Sequence, residues 1–119
     1  MSTARQYCLT LSLVDDANLI SDYEQFHQPG NVWPEVVDSL SEAGILDMRI
    51  FRAGLQLVMI MTVSESFSFE KKALSDARNP RVVEWETLMS RFQSAGEQSM
   101  ANDKWQLAKE VFNLGDHLN

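Results

Sequence analysis

Of cysteine, proline and glycine the chain has little: one, three and five residues among 119. With Cys8 alone, no internal disulfide can form, and neither a secreted disulfide scaffold nor a paired-cysteine zinc site is available. The thiol is expected to serve as a small apolar side chain in a strand. A phosphate-binding glycine loop and a GxSxG elbow are both missing from the sequence, so neither a nucleotide cofactor nor a metal is expected. No apolar run approaches the roughly 18 residues of a membrane span, and the first residues lack the basic start and apolar stretch of a signal peptide. A cytoplasmic protein that does not engage membranes is therefore expected. Positive charge is scarce as well: 10 Lys and Arg stand against 17 Asp and Glu, for a net charge of −7. Scattered cations make no phosphate-binding surface, so nucleic acid is not an expected partner.

What is present is ordinary globular composition, 45 % hydrophobic and 23 % charged, at a length that suits a single domain over residues 1–119. Tyr7, Leu9, Leu11 and Leu13 alternate with Cys8, Thr10 and Ser12, the period of a strand with unlike faces. Asp15 and Asp16 can cap a helix that runs through Phe26 and is broken by Pro29-Gly30. A second helix is expected from Trp33-Pro34 to Ala43-Gly44, since proline suits a first turn. Strands over Ile45–Phe51 and Leu55–Val63, joined by Arg52-Ala53-Gly54, make a hairpin. Helices are expected over Phe67–Ala77 and from Asn79-Pro80 to about Phe92, the latter with Trp85, Leu88, Met89 and Phe92 in one stripe. A loop over Ser94–Asp103 follows, and Val111–Leu114 reads as a short last strand.

The order is that of an α+β, ferredoxin-like βαββαβ fold: an antiparallel sheet with helices on one face and the other face bare. A bare apolar face calls for a cover, and a second copy packed sheet to sheet gives a homodimer, a dimeric α/β barrel.

Candidate chemistry centres on His27, one of two histidines. It falls four residues after Tyr23, on the same helical face, just before the Pro-Gly break and near Trp33-Pro34-Glu35. An imidazole titrates near neutrality, and a phenol beside it can donate or accept a hydrogen bond, so the pair can move protons. A helix-end histidine in a satisfied polar contact beside Trp33 accounts for the same pattern. His117 lies in the last three residues, where no role is expected. Trp85 with Glu86 reads either as core and surface or as the aromatic face and polar group of a sugar site. Met48 and Asp47 on the hairpin, and Trp105, raise the same alternative.

Tyr23-Glu24-Gln25-Phe26-His27 and Val32-Trp33-Pro34-Glu35-Val36 resemble the Y-x-x-x-H and W-P-E segments of the rhamnose mutarotase family. The likeness continues through Ala43-Gly44-Ile45, Met48-Arg49-Ile50-Phe51, Asn79-Pro80, Glu84-Trp85-Glu86 and Val111-Phe112-Asn113-Leu114, nearly the whole chain. This resemblance implies a ferredoxin-like dimer that interconverts sugar anomers without a cofactor. It implies His27 as general acid or base and Tyr23 as a substrate-binding hydroxyl. Trp33, Trp85, Glu86 and Met48 would then contact the monosaccharide. A tyrosine of rhamnose-specific members falls at Met48, the second of their paired tryptophans at Glu86, and two extra residues separate His27 from Trp33. Those departures point to a 6-deoxy-hexose such as L-fucose, with L-rhamnose second. A non-catalytic module that binds a sugar or metabolite, or a cofactor-free monooxygenase or isomerase on the same dimeric scaffold, are the rival expectations.

Overall fold

The computed structural model describes residues 5–94 and 105–118. Elements follow in the order β1 (Arg5–Leu13), α1 (Ala17–Phe26), α2 (Pro34–Glu42), β2 (Ile45–Ala53), β3 (Gln56–Val63), α3 (Phe69–Ala77), α4 (Pro80–Met89), β4 (Gln93–Ser94) and β5 (Gln106–Leu107). A short 3-10 helix, Leu114–His117, closes the described chain.

β1 lies at the centre of the sheet. It pairs antiparallel with β3 from Arg5↔Val63 to Ser12↔Gln56, and β3 pairs in turn with β2. The other side of β1 receives two short strands, β4 at Ser12 and Leu13 and β5 at Leu9 and Thr10. The resulting order β2-β3-β1-β4 is the ferredoxin-like one. The sheet does not close on itself.

Period-two alternation decides which residues face the helices. Tyr7, Leu9 and Leu11 stand opposite Met61, Met59 and Leu57, and these side chains, with Leu13 and Val63 and with Ile45, Met48 and Ile50 of β2, are the sheet's contribution to the interior. Two clusters result. Leu11, Leu13, Leu57 and Phe92 pack with Tyr23, Val36, Val82 and Trp85 from the helices; Leu9, Met59, Met61 and Val63 pack with Ile45 and Phe67. Ile50 and Trp105 touch both.

Caps set the helix boundaries. Asp16, Ser68 and Asn79 each accept backbone N–H bonds at the starts of α1, α3 and α4, which satisfies donors that have no partner within the helix. α2 starts instead at Pro34, behind Trp33. The chain leaves α2 through Gly44, whose φ of +95° places a would-be Cβ 2.6 Å from the Ser64 hydroxyl oxygen.

Two expectations are corrected. Val111–Leu114 is not a strand: residues 111–113 are irregular and Leu114 opens the 3-10 helix, while the place beside β1 belongs to β4 and β5. The β-branched and aromatic pattern of Val111-Phe112 suits a strand, yet within this chain these residues are 89 % and 65 % exposed and have no strand to pair with. The open sheet face is also not uniformly apolar. Cys8, Val58, Ile60 and Phe51 share it with Gln6, Thr10, Ser12, Arg49 and Thr62. The loop expected over Ser94–Asp103 falls, after Ser94, outside the described residues.

Candidate functional site

The site is built on the last turn of α1. Tyr23 and His27, one turn apart, project toward the cluster that α4 completes. His27 is the residue at which the helix ends, with φ −100° and ψ 4°. Its Nδ1 lies 2.7 Å from the Tyr23 carbonyl oxygen. A carbonyl can only accept, so Nδ1 carries the proton, and in the neutral ring Nε2 holds the available lone pair.

Aromatic rings enclose this imidazole. Its centroid is 4.2 Å from that of Tyr23 at 32° and 5.6 Å from that of Trp85 at 70°. Trp85 continues the series to Trp33, 5.3 Å away at 70°, and to Phe26 at 6.2 Å. Tyr23 and Trp85 are buried and His27 and Trp33 half-buried. Edge and tilted contacts of this kind suit the ring quadrupole and hold each ring at a defined angle.

Burial has electrostatic consequences. The His27 pKa is lowered below its ordinary value of 6.5 by desolvation, a shift that the bond to the Tyr23 carbonyl opposes only in part. At neutral pH the ring is therefore uncharged, and Nε2 is free to take a proton. Burial pushes the Tyr23 phenol in the other direction, well above its ordinary value. Tyr23 stays protonated, so its hydroxyl keeps a hydrogen to donate.

Trp33 is held from outside as well. The Arg81 guanidinium lies over its ring, 4.1 Å from the centroid, and reaches Glu84 at 2.9 Å and Glu35 at 3.6 Å. Arg81 stands one helical turn before Trp85, a spacing that could have marked it in the sequence, but a lone helical arginine carries no signal by itself. Arg52 joins β2 to α1 through Glu24 at 2.7 Å and is itself held to the hairpin turn by the Gly54 carbonyl at 2.8 Å.

The structure thus brings Tyr23, His27, Trp33 and Trp85 into one series of contacting rings. Glu86 follows Trp85 on α4 and is half-buried. Met48 pairs with Met61 on β3 and packs against the second cluster, apart from the ring series. Trp105 bridges the two clusters. His117 stacks on Phe112 in the exposed C-terminal segment. An open concavity lined by Asp22, Gln25, Phe26, Gly30 and Asn31 contains none of the four ring residues. Among the described residues no three His, Cys, Asp or Glu side chains converge as metal ligands, and no helix is long and apolar enough to cross a membrane.

A neutral imidazole with a fixed tautomer, beside a phenol donor and an indole wall, can exchange protons with a polyhydroxylated substrate. Comparison with known proteins shows the class: the chain falls among the sugar mutarotases, isomerases that interconvert anomers. A family model described as L-rhamnose mutarotase matches residues 6–114, and the chain belongs to that family. It is 48 % identical to an L-fucose mutarotase of Xanthomonas campestris, over 94 % of this chain and 90 % of that one. A UPF0734 protein of Dictyostelium discoideum is 36 % identical over 75 % of this chain and 70 % of its own length. In fold, the chain is similar to the crystal structure of an L-rhamnose mutarotase from Formosa agariphila, with a TM-score of 0.66 at 20 % identity, covering 92 % of this chain and 97 % of that one.

Proposed function

We propose that this mutarotase interconverts the α and β anomers of a 6-deoxy-L-hexose, L-fucose before L-rhamnose, with His27 as general acid and base. The observation that carries the mechanism is the 2.7 Å contact from His27 Nδ1 to the Tyr23 carbonyl, which leaves Nε2 as the proton acceptor. Nε2 takes the proton of the anomeric hydroxyl as the bond from C1 to the ring oxygen breaks, and the ring oxygen takes a proton from the imidazolium so formed, which gives the open aldehyde and restores neutral His27. Rotation about C1–C2 and reclosure with the proton steps reversed deliver the other anomer. Tyr23, held protonated by burial, donates to the ring or anomeric oxygen. Trp33 and Trp85 supply apolar walls for the C–H face of the sugar. Glu86 binds a sugar hydroxyl, or carries the second proton.

The preference for L-fucose is supported by the 48 % identity to an L-fucose mutarotase, and by Met48 and Glu86 at the positions where rhamnose-specific members resemble one another in having tyrosine and tryptophan. The active form is a cytoplasmic homodimer, its two open sheets facing each other to complete a barrel. Exposed Phe51 and Ile60 on that face support it, since a second copy would take them out of water.

Saturation-transfer NMR on the anomeric protons of L-fucose and L-rhamnose tests the assignment. Faster exchange for L-fucose, lowered roughly 10² to 10⁴-fold in His27→Ala with an unchanged far-UV spectrum, is the expected result. No acceleration of either sugar by the wild type would remove the substrate, and an equally fast His27→Ala would remove the base.

A further inference from the structure

We infer that Arg81 is a positioning residue of the sugar site, holding Trp33 at the angle that makes it a wall. Trp33 is poorly anchored by its own element: it precedes α2 and makes no side-chain capping bond. Its anchors come from α4, one turn apart. Arg81 covers the ring at 4.1 Å, and Trp85 meets it at 5.3 Å and 70°. Trp85 in turn meets His27 at 5.6 Å, so a single series runs from the guanidinium to the base.

The arginine is itself fixed. Its Nη1 donates to Glu84, one turn along α4, while Nε faces Glu35 on α2 across 3.6 Å. The guanidinium carbon lies over the indole while two carboxylates hold the guanidinium nitrogens, a planar fork that an ammonium, a point charge, would not reproduce. The arrangement occupies one face of Trp33 and so limits which of its surfaces a sugar can use.

This role rests on Trp33 and His27 belonging to a sugar site, and two readouts separate the two questions. The first needs no sugar. Trp33 and Trp85 are close and non-parallel, so their transitions couple and give an exciton couplet in the far-UV circular dichroism. Arg81→Leu is expected to diminish the couplet while helix content is kept, and Arg81→Lys to restore part of it. The second is the concentration dependence of anomer exchange. Arg81→Leu is expected to raise KM roughly two- to fivefold with kcat nearly unchanged, because wall contacts are lost and proton transfer is not. A purely structural arginine would lower the melting temperature and leave the couplet and KM as they were, which would overturn the proposal. A wild type that accelerates no sugar would remove the proposed function, while the couplet would still decide whether Arg81 sets the Trp33 geometry.

Discussion

His27 owes its character to position more than to neighbours of opposite charge. Desolvation lowers its pKa below 6.5, so the neutral form dominates at physiological pH and the acid limb of kcat/KM is expected below the ordinary histidine value. A pH series of anomer exchange measures that midpoint, and one above 6.5 would contradict a desolvated base. The same shift has a stability sign. The unfolded chain binds the proton more readily than the folded one, so the effect is absent above the unfolded pKa and becomes a loss as pH falls through it. Wild type is therefore expected to lose more melting temperature than His27→Gln between about pH 7.5 and about pH 5.5. Tyr23 and His27 were legible in the sequence because one turn of helix places i and i+4 side by side. What the spacing could not give was the contact order: His27 meets Tyr23 and Trp85, and reaches Trp33 only through Trp85.

At the scale of elements, boundaries follow local chemistry closely. Pro34 and Pro80 start helices where a missing N–H costs nothing, and the hairpin turn falls at Gly54 with φ +60°. Gly44 is the more demanding position, for its φ is +95° and the Ser64 hydroxyl stands where a Cβ would go. Gly44→Ala is expected to cost on the order of 1–3 kcal/mol in urea unfolding. Gly54→Ala, with nothing within 4 Å, should cost less, and equal losses would mean that the Ser64 contact is immaterial. The failure at Val111–Leu114 has the complementary cause. Strand propensity is read from residue types, but strand formation needs a partner edge, and β4 and β5 already hold that edge of β1.

At the scale of the whole molecule, the ferredoxin-like order was legible because the two-residue and helical periods alternate cleanly along the chain. The composition of the open face was not, since alternation gives the inward set reliably but leaves the outward set to whatever covers it. Phe51 and Ile60 are 45 % and 37 % exposed, and the C-terminal segment adds Phe112, Leu114 and Leu118. Sedimentation equilibrium is expected to return twice the 13.5 kDa chain mass. Ile60→Asp is expected to shift the mass toward one chain without loss of secondary structure. A wild-type mass of one chain would remove the dimer.

The division of labour among elements bears on how such enzymes diverge. The proposed base and phenol stand at the C-terminal end of α1, whereas Trp33 precedes α2, Trp85 and Glu86 lie on α4, and Met48 lies on β2. Met48 packs against a different cluster from Tyr23, so a change at that strand position is separated in packing from the proposed proton-transfer pair. On the proposed roles, sugar preference can therefore change through α4 and the hairpin while the pair at the end of α1 is kept.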